Sequence, residues 1–179
     1  DLGVIRAFGI GFLGLAMGSF VSMMRCLSVR WTYSLLIPAG VFALPGVGVN
    51  FTWVLGFPTQ IAWAITGFGY LGLFWALYTI PGQQAPPILR YFLVFLAFIS
   101  VLASLFIYPT AAMYFLVPFI ASLLFNKTNK VGENLPNWHL IFRGAFPLVL
   151  FAIGCVVFVL AQKFIVVPYI ELAYPNIRY

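Results

Sequence analysis

Residues 90–125 read RYFLVFLAFISVLASLFIYPTAAMYFLVPFIASLLF, and after Arg90 none of them is charged. As one straight helix these 36 residues would run about 54 Å, well beyond a bilayer hydrocarbon core of about 30 Å. The interruption Tyr108-Pro109-Thr110 divides the stretch into a span of about 19 residues and a second of about 15, since the residue before a proline is pushed out of the helical region. The second piece is short and holds Pro118, so a full span and a re-entrant segment both fit it.

The same composition extends in both directions. The chain has 179 residues, of which 64% are hydrophobic and only 7% charged, where a soluble domain of that length carries about 45 charged side chains. A soluble enzyme, a disordered chain and a disulfide-stapled secreted domain are excluded. The fold class is all-α: a single polytopic transmembrane helical bundle over 1–179, with about six spans, or five plus a re-entrant segment. Six spans use roughly 120 residues, which leaves connections and no sizeable soluble domain.

Upstream, Pro81–Leu89 (PGQQAPPIL) is a non-helical connection, and Ile61–Ile80 is the third span with Gly67, Gly69 and Gly72 inside it. The second span, Thr32–Gly56, holds Pro38, Pro45, Gly46 and Gly48 and is expected to be kinked or locally unwound. Trp53, Trp63 and Trp75 fall where interfacial aromatic belts are expected. The first span is Leu2–Met24. It is too long for a signal peptide, carries Arg6 near its start and lacks a small-residue cleavage site. The chain starts with Asp1, which points to a removed N-terminal piece or to numbering that begins within a longer chain.

Gly14, Gly18 and Ser22 form a four-residue ladder on the first span, with Ala7 and Gly11 beside it. Small residues at this spacing let two helix backbones approach closely in lipid, so this is the expected helix-packing face, toward either a helix of the same chain or another subunit. Residues 14–25, GLAMGSFVSMMR, are locally similar to the GSF-containing first segment of the prepilin peptidases. The membrane aspartates of that family have no counterpart in any predicted span, so its activity is not carried over.

Downstream, Asn126–Asn137 is the one strongly polar loop, Trp138–Phe146 is expected at the interface, and Pro147–Val167 is the last span with Pro147 in its first turn. The tyrosine-rich tail PYIELAYPNIRY is expected along the headgroups. With six spans, Arg25, Arg30, Arg90, Lys127, Lys130 and Arg143 fall on one side, and Arg6, Lys163 and Arg178 on the other. The positive-inside rule then puts the odd-numbered connections on the cytoplasmic or matrix side. The sequons at Asn50 and Asn126, one in a span and one on the inner side, are expected to stay unmodified. The basic residues form no dense run, which argues against a nucleic-acid partner. Arg25, Arg30 and Arg90 are candidates for contact with a lipid phosphate.

The acidic residues are Asp1, Glu133 and Glu171, all outside the predicted spans. That removes paired-carboxylate acid–base chemistry and a carboxylate proton relay within the membrane. His139 is the single histidine and reads as an interfacial polar residue. Cys26 and Cys155 lie at different depths, too far apart for a disulfide. No catalytic residue, metal ligand or cofactor site is expected, and the chain reads as no enzyme. The expected role is a non-catalytic subunit of a multi-protein membrane complex, holding helices, phospholipids and other membrane subunits in place. An energy-transducing membrane such as the mitochondrial inner membrane is the favoured setting, with an endomembrane or the bacterial plasma membrane as alternatives. The alternative is a small transporter or channel whose kinked second span lines the path.

Overall fold

The computed structural model describes residues 2–42, 57–77, 86–125 and 137–173, and among them every element is helical. In chain order they are α1 (Leu2–Cys26), α2 (Trp31–Phe42), α3 (Phe57–Leu77), α4 (Pro87–Ile107), α5 (Pro109–Ala112), a 3-10 turn (Met113–Phe115), α6 (Leu116–Phe125), α7 (Asn137–Ala161), a π-helical turn (Gln162–Val166) and α8 (Val167–Ala173). Four stretches, Gly3–Cys26, Pro58–Leu77, Pro87–Ile107 and Gly144–Ile170, are long and apolar enough to cross a membrane. The expected features at Asp1, Asn50, Trp53, Pro45, Gly46, Gly48, Asn126, Lys127, Lys130, Glu133 and Arg178 lie outside the described residues.

The bundle is organised around α3. Its apolar window is 61% buried, against 22–28% for the other three. Gly67 and Gly69 are two residues apart, hence about 200° apart around the helix. Each gives a neighbour room to approach. A Cβ on Gly67 would collide with the Ser19 hydroxyl of α1, and one on Gly69 would lie 2.5 Å from Ser100 Cβ of α4. Gln60 extends the first face by filling the space a Cβ on Gly9 would need. Thr66 extends the second, its hydroxyl 2.6 Å from that of Ser104. α1 and α4 therefore lie on opposite faces of α3.

These pairs also give the directions of the helices. Gly9 meets Gln60 and Ser19 meets Gly67, so α1 and α3 are parallel; Thr66 meets Ser104 and Gly72 meets Leu93, so α4 is antiparallel to both. Trp63 meets Tyr114 and Tyr70 meets Ser122, so the 109–125 segment runs parallel to α3 without turning back. Gly154 packs on Val101 and Leu105, and Phe158 on Phe106 at 5.1 Å, so α7 is parallel to α4. Arg25, Arg30, Arg90 and the helical position of Arg143 consequently sit toward one end of the bundle, and Arg6 and Lys163 toward the other. An aromatic series crosses the core between them: Tyr70 meets Phe115 edge-on at 5.0 Å, and Phe115 stacks on Phe151 at 5.9 Å.

Local sequence chemistry accounts for the helix ends. α1 closes in a Schellman motif, with Val29 N–H bonded to Met24 O and Ser28 N–H to Arg25 O. Met24 and Val29, the two residues whose contact accompanies this motif, are both buried. Ser28 takes the left-handed position at φ 59°, where glycine is usual. Pro86 and Tyr108 each precede a proline and are extended, which starts α4 at Pro87 and ends it at Ile107. The 3-10 turn re-sets the chain so that Pro118 falls in the first turn of α6, where its missing N–H costs nothing.

Three boundaries differ from expectation. α4 begins inside the anticipated Pro81–Leu89 connection, because Pro87 suits a first helical turn. The last helix begins at Asn137, so Pro147 is internal and not in the first turn; proline is tolerated there in apolar helices when neighbours re-satisfy the backbone. Helix also continues through 162–173, across a π turn that widens the backbone just before Pro168. That accommodates a ring which would otherwise clash with the carbonyl of Phe164. Trp63 also departs from the belt pattern, being 8% exposed and set against Tyr114, whereas Trp31 and Trp75 are exposed near helix ends.

Replacing Ser28 by Gly should stabilise the fold against unfolding in detergent by up to about 1 kcal/mol, because the left-handed position no longer carries a Cβ. Gly69→Leu should cost about 1–3 kcal/mol by overpacking the α3–α4 contact. Gly11→Ala, which meets open space, should shift stability by no more than about 0.5 kcal/mol.

Candidate functional site

The small-residue ladder of α1 points away from the bundle. Gly14, Gly18 and Ser22 are exposed, as are Ala7 and Gly11. A Cβ on Gly11, Gly14 or Gly18 would meet no atom within 4 Å, and the Ser22 hydroxyl returns to its own helix, donating to Gly18 O at 2.8 Å. The face that packs within the chain is the opposite one, built from Gly9, Ala16, Ser19, Phe20 and Met23. Ala16 is two residues from Gly14 and from Gly18, about 200° around the helix. Among the described residues, no helix of this chain covers the ladder.

Arg25, Arg30 and Arg90 come to one end of the bundle but not to one place, since α3 separates α1 from α4. Arg25 is engaged in the turn after α1: its Nη1 donates to Val29 O at 2.8 Å, and its guanidinium lies 5.6 Å from the centre of the Trp31 ring. Arg30 is exposed. Arg90 is half-buried, and its Nε is buried with no hydrogen-bond partner.

Below Arg90 an open apolar groove of about 340 Å³ runs between α4 and α7. Tyr91, Phe95 and Phe98 form one wall, and Phe146, Val149 and Ile153 the other. The two helices are parallel, so both walls start from the same end of the bundle. Val94, one turn beyond Arg90, also lines it.

The interior polar groups are mostly hydroxyls bonded locally. Thr66 donates to Ala62 O at 2.6 Å, Ser104 reaches the same carbonyl at 3.1 Å, and the two hydroxyls lie 2.6 Å apart. Ser122 donates to Phe119 O at 2.7 Å, so Tyr70 donates to Ser122 at 2.8 Å. Ser19 donates to Ala16 O at 2.7 Å, and Tyr114 reaches the same carbonyl at 3.4 Å. These hydroxyls meet one another and backbone carbonyls. Activating one as a nucleophile would need a general base beside it, and the bonds instead tie α3 to α4 and α6, and the 3-10 turn to α1. Among the described residues no group of three metal-ligating side chains occurs, and both cysteines are free.

Coupling across α3 can be measured with a double-mutant cycle in detergent. Thr66→Val with Ser104→Ala should give an interaction energy of about 0.6 kcal/mol, the size typical of interhelical hydrogen bonds in membrane proteins. A second cycle, Tyr70→Phe with Ser122→Ala, should give a similar value.

No protein-family model matches the chain, and no curated protein or solved structure matches it.

Proposed function

We propose that the chain is a non-catalytic integral membrane subunit of a larger assembly, crossing the bilayer six times and positioning a partner helix against α1. The observation that carries this role is the uncovered ladder of Gly14, Gly18 and Ser22, which offers open space where side chains would otherwise stand. In hydrocarbon the packing of apolar side chains gains little over contact with lipid, so close backbone approach between helices is the main source of association. A second helix seated on this face would gain contacts that lipid tails make less well.

Six crossings fit the four long apolar helices, the parallel directions of α1 and α3, and the alternation of α3, α4, the 109–125 segment and α7. The segment 109–125, about 26 Å long at 1.5 Å per residue, approaches the thickness of the hydrocarbon core. With the arginines gathered at one end, the positive-inside rule favours that end for the cytoplasmic or matrix side. The favoured setting is an energy-transducing membrane, on the basis of a small, hydrophobic chain without its own acid–base groups in the spans.

Purification in mild detergent tests the role. The wild-type chain should co-migrate with other polypeptides in fixed stoichiometry. Gly14→Leu with Gly18→Leu should release them, while the helicity and unfolding midpoint of the isolated chain stay unchanged. A homogeneous homo-oligomer that supports flux in liposomes would overturn the proposal in favour of a transporter or channel.

A further inference from the structure

The groove between α4 and α7 is neither part of the α1 ladder nor explained by packing within the chain. We infer that it holds one acyl chain of an anionic diacyl phospholipid, with the lipid phosphate accepted by Arg90. This rests on the membrane-embedded part of the proposed function and not on membership of a complex.

Three features converge on this ligand. The first is the lining. Tyr91, Phe95, Phe98, Phe146, Val149 and Ile153 place no charge in the groove, which suits a hydrocarbon chain. The second is position. The walls start in the first turns of α4, and Tyr91 to Phe98 spans about 10 Å along the axis. One leaflet of the hydrocarbon core is about 15 Å deep, so the groove lies within a single leaflet and opens toward its headgroups. The third is charge. The Arg90 Nε is buried without an acceptor, a costly state for a charge-bearing group. Arg90 stands one helical turn before Val94, which lines the groove, and so at the headgroup end of the α4 wall. Arg143 stands three positions before Phe146 on the parallel helix α7, so both walls are preceded by an arginine at the same end. A lipid phosphate is the acceptor that the headgroup region offers to Arg90, and an anionic headgroup is favoured over a zwitterionic one because it adds no competing cation beside Arg90.

The test is native mass spectrometry of the full chain, purified in mild detergent and titrated with phosphatidylglycerol or phosphatidylcholine. The wild type should retain one phosphatidylglycerol under activation that strips phosphatidylcholine. Arg90→Gln should lower the preference for phosphatidylglycerol about tenfold while leaving weak binding of both lipids, because the charge is lost and the groove is kept. Val149→Trp should fill the groove and lower retention of both; Ile153→Trp, at the exposed lower rim, gives the same reading if the first variant is misfolded by circular dichroism. Unchanged lipid preference in Arg90→Gln would overturn the inference. So would displacement of the lipid by inorganic phosphate alone, or a second polypeptide occupying the groove in its place. Extraction of the chain from membranes by alkaline carbonate would instead remove the membrane reading itself, and it is scored separately from lipid retention.

Discussion

The structure depends on α3 being approached closely from two sides. Gly67 admits Ser19 of α1, and Gly69 admits Ser100 of α4, with their faces about 200° apart. In water such a helix would be buried by the hydrophobic effect acting on its large residues. In hydrocarbon that drive is absent between helices, and what remains is the density of contact and the hydrogen bonds made when backbones come near. Two glycines separated by one residue supply that on both sides at once. The hydroxyls of Ser19, Ser104 and Thr66 then sit where carbonyls of α1 and α3 are within reach, and each is satisfied without an ionised partner.

The rest of the bundle follows from this sandwich. α1 and α3 are parallel, which requires the chain to return between them, and α4 runs back along the opposite face. The broken 109–125 segment is then directed alongside α3 by Tyr114 and Ser122. α7 lies against the outside of this arrangement, through Phe151 on Phe115 and Gly154 on Val101. Its low burial reflects a helix that touches the bundle along one side. Arginines at the starts of α4 and α7 and at the end of α1 reach the same end because those helix ends alternate, which agrees with the charge asymmetry along the chain.

Much of this architecture was legible in the residues. The all-helical class, the break at Tyr108-Pro109 and the approximate places of α1, α3 and α4 follow from apolar run lengths and from proline. The packing faces were harder to read. Gly14, Gly18 and Ser22 form the more regular ladder, yet α1 uses Gly9, Ala16 and Ser19, mixed with Phe20 and Met23. Spacing shows where a backbone can be approached and does not show which approachable face is used. The informative signal was the Gly67–Gly69 pair, whose separation marks two faces of one helix. Pro147 misled for a related reason: proline often opens a helix, but in α7 it is carried internally, buried among neighbouring helices. The groove was not legible at all, because its walls come from α4 and α7, about fifty residues apart in the chain.

The outer surface shows two kinds of vacancy, and their shapes point to different occupants. The α1 ladder is shallow and formed by missing side chains, so its floor is backbone. Such a surface fits the ridge of another helix, which presents side chains at a matching repeat. The α4–α7 groove is walled by large aromatic and branched side chains, which stand between an approaching backbone and those of α4 and α7. A helix about 10 Å across cannot bring its own backbone close there, whereas a flexible acyl chain can follow the walls. A partially buried arginine at the mouth suits an anionic headgroup and would be out of place beneath a helix with nothing to neutralise it. On the two proposals made above, a helix-binding surface and a lipid-binding surface in this chain differ in side-chain size and in charge placement.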